Sequence, residues 1–426
     1  MMPMAGRVAI ARSRGCGSIW LLAFSAAAMA TMAGMAQGVE APLELPLAQT
    51  EPASAPDGRP PLGALRRTTS RVWGVQLTVS LPPLVVPENV SEAIQIPVTL
   101  LDTWSVADVR SFAARMNINQ RPIAPRLIPL TIMQRPGAES RVEVPIPDVD
   151  RTPMGLPIGP DTGMQVMLDL EWTVECFSVA LDESAAMGIG WPQSWPAELA
   201  RWRAASAGID PADAMLGPLR DSVRAACGAD APPLAVAKAC VRAGSQSLRN
   251  PNFRQGSPLG VFTRGVEVRG ASTALSEQQG TVADLTCICV ALLRSAGLPA
   301  RVVIGLANED DGPMQSASDK TLTVWGEVWL PQCGWIPFDP DRVRGGVGVR
   351  APLEQRWSGF GTDADWEQRI PITHELNIFR PTPPGSATLA TVTALCSLKT
   401  KVSSGVAGPT DILLQTRVAN RGRPQR

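Results

Sequence analysis

The chain has 426 residues, of which 45% are apolar and 18% charged, and its acidic and basic side chains balance. This length allows two or three domains with substantial cores, and the absence of net charge or a basic stripe excludes a nucleic-acid surface built on charge. A single histidine, together with cysteines that lack zinc-like spacing, argues against metal chemistry. We therefore predict no metal and no cofactor.

The N-terminus has the pattern of a secretory signal. Three arginines precede an uncharged, largely apolar run from Ile19 to Met35, and small residues suited to cleavage end at Ala36. This predicts a signal peptide at residues 1–36 and an exported protein, whether secreted, periplasmic or in the cell envelope. The alternative is an uncleaved anchor, because the run is nearly long enough to span a bilayer. Contact with a membrane would then be through the N-terminus alone.

β-type runs follow a segment rich in Pro and Ala. The composition of residues 37–67 indicates a linker. Beyond it, Pro and Gly punctuate five short runs: VWGVQLTVSL, IQIPVTLL, RLIPLTIM, RVEVPIP and MQVMLDLEW. These runs predict an antiparallel β domain at residues 68–194, with a sandwich as the expected arrangement.

Helical patterns dominate from Trp195 to Ser247, in PAELARWRAA, SVRAACGAD and PLAVAKACVRAGSQSL. Cys227 and Cys240 flank a turn between two of these helices and can meet in a disulfide, which export permits. The other interpretation, small buried hydrophobic side chains, is open for most of the cysteines. Near the C-terminus, residues 381–426 are assigned to a late strand and a mobile tail.

The stretch GTVADLTCICVALLRSAGLPARVVIG predicts a sharply bounded helix followed by a buried strand. Thr281 and Asp284 have the spacing of a capping box, and Gly297 ends the helix. One apolar face of this helix is formed by Val282, Leu285, Cys289, Leu292 and Leu293.

Two further strands, TLTVWGEVWL and WIPFDP, are predicted on either side of a PQCG turn. Thr323 and Asp339 lie roughly symmetrically about this turn. Their side chains can therefore approach each other across the hairpin.

These segments resemble the transglutaminase-like superfamily, a papain-like group with a Cys-His-Asp triad. In that family a cysteine opens a helix ending in LLRxxGxPARVV, a strand of the type HxWxEVW follows, and GWxPxDP comes next. The resemblance extends over about Pro211 to Asp341. It implies an α+β fold, with the N-terminal antiparallel β domain followed by a transglutaminase-like domain at residues 195–380. The core motif spans residues 271–341, and its helix packs on an antiparallel sheet.

Position by position, the resemblance places the family's nucleophile on Val282, its histidine on Thr323 and its aspartate on Asp339, which is retained. Trp325 and Glu327 also match and are predicted to bind a ligand. In the family, the helix N-terminus would favour a thiolate, the histidine would take its proton, and the aspartate would orient that ring. Valine has no ionisable atom and threonine is a very poor base. Two of the three catalytic groups are therefore missing.

The nearby thiols do not replace the missing nucleophile. Cys289 lies on the same helical face as Val282 but about 10 Å further along the axis, and Cys287 is turned roughly 140° away. Cys333 lies in the hairpin turn and is expected to be a structural or exposed thiol. His374 would have to be delivered by the later chain.

Structural roles are the alternative for each of these residues. Asp339 can make the hydrogen bonds of its turn. Trp325 can belong to the core, and Glu327 can be exposed or ion-paired. Val282 most simply fills the former pocket, where a buried valine stabilises the fold by roughly 1.5 kcal/mol or more.

The sequence thus predicts an exported, catalytically inactive pseudo-enzyme that binds an extended polypeptide or supports a cell-envelope protein. One alternative is an active cysteine-type acyltransferase (transglutaminase) or peptidase with a relocated nucleophile. Another is a purely structural module whose groove is filled by side chains. The exposure of the groove beside Val282 separates a binding role from this last possibility.

Overall fold

In the computed structural model, the described residues are 64–84, 92–134, 139–147, 164–251, 258–259, 262–263, 265–307, 315–316, 322–363, 365–379, 392–393, 397–400 and 413–421. The predicted signal peptide and most of the predicted linker lie outside them. Within these ranges, no helix combines the length and apolarity needed to cross a bilayer.

The helices are α1 (Glu183–Met187), α2 (Gly217–Cys227), α3 (Pro233–Ser245), α4 (Ala271–Glu277), α5 (Val282–Ser295) and α6 (Pro340–Gly345). Short 3-10 helices cover Pro125–Leu127, Ala197–Trp202, Ala214–Leu216, Val347–Val349 and Trp366–Gln368. The strands are β1 (Leu65–Leu84), β2 (Glu92–Pro97), β3 (Ser105–Ile118), β4 (Arg121–Pro122), β5 (Thr131–Met133), β6 (Arg141–Ile146), β7 (Met164–Leu181), β8 (Asn250–Pro251), β9 (Pro258–Leu259), β10 (Phe262–Thr263), β11 (Val266–Glu267), β12 (Gln279–Gly280), β13 (Ala300–Ala307), β14 (Gln315–Ser316), β15 (Leu322–Leu330), β16 (Gly334–Phe338), β17 (Arg369–Thr373), β18 (Ile378–Phe379), β19 (Val392–Thr393), β20 (Ser397–Thr400) and β21 (Leu413–Asn420).

Apart from one two-stranded pair, the sheets are antiparallel, and together with the helices they confirm the predicted mixed α+β class. The largest sheet has the order β4-β3-β7-β1-β21-β10-β9, with β14 also on β21. Smaller sheets have the orders β20-β2-β6-β5, β16-β15-β13-β17 and β11-β19-β18. Among the described pairs, only β8 and β12 run parallel. The sandwich arrangement and the domain boundaries remain predictions.

Two parts of the largest sheet differ from the sequence-based expectations. Residues 413–420, assigned to a mobile tail, form β21, which pairs with β1 from Trp73↔Asn420 to Ser80↔Leu413. Alternate residues of β21, Leu414, Thr416 and Val418, are buried, so its pattern has the period of a half-buried strand. Strand β1 begins at Leu65, within the last residues assigned to the linker.

Helix α5 lies in the core and packs against α3, β13 and β15. Every residue from Val282 to Arg294 is buried. The predicted apolar face is buried, and the other sides of the helix are enclosed as well, as expected for a helix central to a large core. The predicted ends are confirmed. Thr281 and Asp284 form the capping box, and Gly297 adopts φ +90° just beyond the helix.

The sheet β16-β15-β13-β17 brings the motif strands together. Arg301 of β13 lies opposite Glu327 of β15, and Gly305 lies opposite Thr323. A Cβ atom at Gly305 would lie 2.4 Å from the Trp325 ring and 2.3 Å from the carbonyl oxygen of Ile370. Glycine at this position therefore makes room for the indole of Trp325 to lie across the neighbouring strand.

Candidate functional site

A carboxylate in the first turn of α5 fixes the N-terminus of this helix. Asp284 accepts hydrogen bonds from the backbone N–H groups of Arg269 (2.7 Å), Gly270 (2.9 Å) and Thr281 (2.8 Å). It also accepts one from the Thr281 hydroxyl at 3.1 Å. Burial raises the pKa of Asp284, although these hydrogen bonds oppose the shift. The segment before α4 is thus tied to the N-terminus of α5, where Val282 is the first helical residue.

Asp339, the predicted triad aspartate, is engaged by the protein itself. It caps α6, because its Oδ1 accepts from the N–H groups of Asp341 (3.0 Å) and Arg342 (3.2 Å). Its Oδ2 accepts from Arg369 Nη2 at 2.5 Å and lies 3.6 Å from Arg342 Nε. Both oxygens therefore have structural partners.

The three predicted triad positions are enclosed. The exposed fraction is 2% for Val282, 8% for Thr323 and 6% for Asp339. Thr323 lies in β15, and the register of β15 with β16 is described from Gly326↔Phe338 to Leu330↔Gly334. The predicted approach of Thr323 to Asp339 therefore lies beyond the paired part of this hairpin and remains a prediction.

Trp325 and Glu327, predicted to bind a ligand, are fully buried. The ring centroids of Trp325 and Trp104 are 5.5 Å apart. Glu327 accepts from Trp104 Nε1 at 2.7 Å and from Arg301 Nε at 2.7 Å. The contacts observed for both residues are with the protein, and their role in binding stays a prediction.

Glu327 belongs to a buried charged cluster, which we define as Asp102, Arg301, Glu327 and His374. Arg301 Nη2 lies 2.7 Å from Asp102 Oδ1 and 2.6 Å from Glu327 Oε2, so one guanidinium bridges two carboxylates. His374 Nε2 lies 2.9 Å from Asp102 Oδ2. The guanidinium carbon of Arg301 also lies 4.0 Å from the centroid of the Trp335 ring. Charged residues so deeply buried are expected to be paired in this way.

The cluster fixes the protonation state of the chain's single histidine. Burial would raise the pKa of Asp102, but Arg301 and His374 together hold it below its ordinary value. Burial lowers the pKa of His374 to about 4, with Arg301 adding to the effect, so the ring is neutral at pH 7. Because an ionised carboxylate can only accept, Nε2 must carry the proton, which leaves Nδ1 as an acceptor.

Glu139 supports the same histidine from the other side. Its Oε1 accepts from the backbone N–H of His374 at 2.7 Å, and its Oε2 accepts from the Thr373 hydroxyl at 2.8 Å. Burial raises the pKa of Glu139 to about 7 despite these two hydrogen bonds. Glu139 is therefore a group whose charge changes near neutral pH.

Asp102, Glu327 and His374 also have the spacing of metal ligands, since one donor atom from each lies within 4.8 Å of the others. Arg301, however, already supplies a cation between the two carboxylates. A metal ion bound there would have to displace the guanidinium. The arrangement is thus an internal ion network that needs no further cation.

The thiols near the motif are poor nucleophiles. Cys287 and Cys289 have no exposed surface, and burial raises the pKa of both well above the ordinary thiol value. Cys333 is buried as well, which agrees with the structural alternative and not with the exposed one. Cys227 and Cys240 are free thiols that line one cavity, and no disulfide joins them. Cys396 lies outside the described residues.

Sequence reasoning missed the partners of these carboxylates. Arg301 stands in the motif, and its position opposite Glu327 follows from the register of β13 with β15. No local signal points to Asp102, which lies 199 positions before Arg301 in sequence. No local signal points to Arg369 either. Its ion pair gives the predicted triad position Asp339 a structural role.

Comparison with known protein families gives a match in the region of the motif. Residues 261–340 match the family model of the transglutaminase-like superfamily. A stretch of 72 residues is 32% identical to the uncharacterised protein YebA of Bacillus subtilis (strain 168) and covers 15% of this chain but 10% of YebA. The chain thus shares only a small part of that protein's length.

Several solved structures are similar to this chain at low sequence identity. A candidate cysteine protease from Cytophaga hutchinsonii has 10% identity and a TM-score of 0.47, covering 85% of this chain and 94% of the other. The periplasmic domain of TgpA from Pseudomonas aeruginosa has 19% identity and a TM-score of 0.25, covering 61% and 99%. A candidate protease from Parabacteroides distasonis has 12% identity and a TM-score of 0.23, covering 61% and 44%.

Proposed function

This chain contains a transglutaminase-like core at residues 261–340, and from that premise we propose an exported, catalytically inactive pseudo-enzyme. It serves as a polypeptide-binding or cell-envelope scaffold module. The observation that carries the proposal is Val282, a buried hydrocarbon at the helix head where the family's nucleophile would stand. Export is supported by the N-terminal sequence pattern.

The remaining positions cannot supply the missing chemistry. A threonine hydroxyl at position 323 is a very poor proton acceptor at neutral pH. The carboxylate of Asp339 is committed to the cap of α6 and to Arg369. Both oxygens of Asp339 already accept hydrogen bonds from the protein, and threonine at position 323 offers no ring for this carboxylate to orient.

A relocated nucleophile receives no support from the thiols. A reactive cysteine needs a lowered pKa and access to its substrate. Cys287 and Cys289 have raised pKa values and no exposure. Among the described residues, no hydrogen bond joins a thiol to His374, whose Nε2 is bound to Asp102.

The burial of the triad positions also bears on where a partner would bind. Val282, Thr323 and Asp339 present almost no surface, which favours a filled groove over an open one at this point. The scaffold role that we propose therefore uses surfaces outside the former active site.

Enzyme assays test the inactivity. The purified chain, without its signal segment, is incubated with a glutamine-rich acceptor protein and a fluorescent primary amine, and separately with a quenched peptide pool. The matched control is Asp339→Asn. We expect no amide formation and no hydrolysis above the level of the control. Activity that disappears in Asp339→Asn would refute the proposal.

Thiol labelling tests the relocated nucleophile separately. A fluorescent iodoacetamide is applied at pH 7 to the native and the denatured protein, and labelled peptides are identified by mass spectrometry. Cys287 and Cys289 should react only after denaturation. Rapid labelling of either residue in the native protein would favour an active cysteine enzyme instead.

A further inference from the structure

A row of tryptophans crosses the surface from an exposed end to a buried one. We define the tryptophan ribbon as Trp191, Trp195, Trp329, Trp335 and Trp202. The ring centroids of Trp191 and Trp195 are 6.4 Å apart, and those of Trp195 and Trp329 are 5.7 Å apart. Trp329 of β15 and Trp335 of β16 are cross-strand neighbours. The ring centroids of Trp335 and Trp202 are 6.1 Å apart.

The exposure of the ribbon falls along its length. Trp191 is 44% exposed, the next three members are half-buried, and Trp202 is 8% exposed. Partly exposed aromatic side chains provide large apolar contact area at a low cost in conformational entropy. Arginines accompany the row, with Arg203 over Trp195 at 5.7 Å and Arg201 over Trp202 at 4.2 Å.

The inner end of the ribbon opens on a cavity of about 320 Å³. Its wall includes Trp202, Arg201, Ser206, Arg294, His374 and Glu375. This volume is at the small end of the range for ligand pockets and suits one or two amino-acid residues. None of the predicted triad positions lines this cavity.

Arg294 gives the cavity an uncompensated positive charge. Its side chain donates to the carbonyl oxygens of Ala300 (2.9 Å) and Ala204 (2.7 Å) and to Ser206 Oγ (2.8 Å). Among the described residues, no carboxylate lies within ion-pair distance of it. Burial lowers the pKa of Arg294 to about 10, so the guanidinium stays protonated at neutral pH.

The carboxylate in the wall does not cancel this charge. Glu375 lies 3.4 Å from Arg201 and 3.8 Å from Arg141, both measured between charged atoms. An almost fully buried cation without a counter-charge is costly. A ligand that brings a carboxylate would offset this cost.

His374 adds an acceptor to the same wall. Its ring is neutral, its Nε2 donates to Asp102, and its Nδ1 has no hydrogen-bond partner among the described residues. The lone pair of Nδ1 suits an N–H donor and disfavours a second carboxylate. The cavity therefore offers a cation and a hydroxyl on one side and an acceptor on another.

We infer that this cavity binds the C-terminal residue of an extended polypeptide whose preceding residues lie along the tryptophan ribbon. The α-carboxylate pairs with Arg294 and Ser206, and the terminal amide N–H donates to His374. The inference rests on the proposed polypeptide-binding role and names its partner. A peptide terminus carries both a carboxylate and an adjacent amide N–H, whereas an acidic sugar carries only the first of these reliably.

The test compares peptides that differ in one terminal group. Fluorescein-labelled decapeptides with each possible last residue are made as free acids and as C-terminal amides, and binding is measured by fluorescence anisotropy. For the best binders we expect the amide to bind at least about tenfold more weakly, because a charge-assisted contact is lost. This comparison needs no protein variant and so does not depend on the folding of an Arg294 substitution.

Variants locate the binding site. Ser206→Ala should weaken binding of the free acid and leave the amide unchanged. Trp191→Ala should weaken decapeptides but not tripeptides with the same ending. Arg224→Gln, in the wall of the separate cavity between α2 and α3, is the matched control and should change neither.

Three outcomes overturn the inference: equal affinity for acid and amide, no binding up to about 1 mM peptide, or binding of polygalacturonate in place of peptides. Each leaves the inactivity of the core untouched. Conversely, catalytic turnover with intact discrimination between acid and amide would refute the proposed inactivity and keep this site. The two proposals can therefore fail independently.

Discussion

Substitution of Arg301 by methionine tests whether the charged cluster is held together by its shared cation. Arg301 bridges Asp102 and Glu327, whose side chains are 3% and 0% exposed. Methionine keeps an apolar stem against Trp335 but leaves both carboxylates buried without their partner. Removing one partner of a buried ion pair typically costs about 3–5 kcal/mol. This is a large share of the 5–15 kcal/mol by which most domains are stable.

The expected loss depends on pH in a definite direction. Without Arg301, the pKa of each buried carboxyl rises, so the folded variant binds protons that the unfolded chain has already released. Its free energy of unfolding then falls as pH rises. Urea unfolding followed by tryptophan fluorescence should show a deficit of about 3–5 kcal/mol relative to wild type at pH 8 and a smaller one at pH 5.

The triple variant Arg301→Met, Asp102→Asn, Glu327→Gln is the control, because it removes the charges together. It should recover most of the stability lost by Arg301→Met alone, as neutral replacements of buried ion pairs often do. The same deficit at pH 5 and pH 8, with no recovery in the triple variant, would refute the reasoning. The loss would then come from packing against Trp335.

Three further predictions concern the surroundings of the motif. The pKa of Glu139 is raised to about 7 from an ordinary 4.5. The free energy of unfolding of the wild-type protein should therefore fall as the pH rises from 4.5 to 7. Glu139→Gln should remove about 3 kcal/mol of that dependence in urea unfolding, and parallel curves for the two proteins would contradict this. Asp284→Ala should cost about 3 kcal/mol or more, because several backbone donors lose their acceptor; unchanged hydrogen exchange in the first turn of α5 would count against it. Val282→Cys with Thr323→His should yield a thiol that iodoacetamide labels far more slowly than free cysteine, since position 282 is 2% exposed; faster labelling would mean that the catalytic frame is intact.

Features set by neighbouring residues were predictable from the sequence. The capping box of Thr281 and Asp284 needs only a hydroxyl and a carboxylate three positions apart. Gly228 and Gly297 follow α2 and α5 with φ values of +78° and +90°, which glycine adopts without steric cost. In each case the determining contacts lie within one helical turn.

Features that depend on contacts between distant parts of the chain were not predictable from the sequence. Strand β3 was missed because its middle is exposed and a register shift between Asp108 and Ala113 interrupts its alternation. Strand β21 was assigned to a mobile tail because its pairing partner, β1, lies at the other end of the described chain. The all-round burial of α5 likewise depends on elements that only the folded chain brings together.

The candidate site shows the same division between local and distant information. The motif spacing located Val282, Thr323 and Asp339, since the order of helix, strand and turn can be read along the chain. It did not predict that Asp339 would be neutralised by Arg369, 30 positions later. The predicted triad position Asp339 therefore had two possible roles until its partners were known.

The contacts of Asp339 and Glu327 give both predicted motif positions a structural role. Asp339 caps α6 and compensates a buried arginine, so its loss would leave backbone donors and a cation unpaired. Glu327 similarly shares Arg301 with Asp102 and binds the indole of Trp104. A cysteine and a histidine whose only task was chemistry would have no such structural duty. Under the proposed inactivity, Val282 and Thr323 stand in place of such residues.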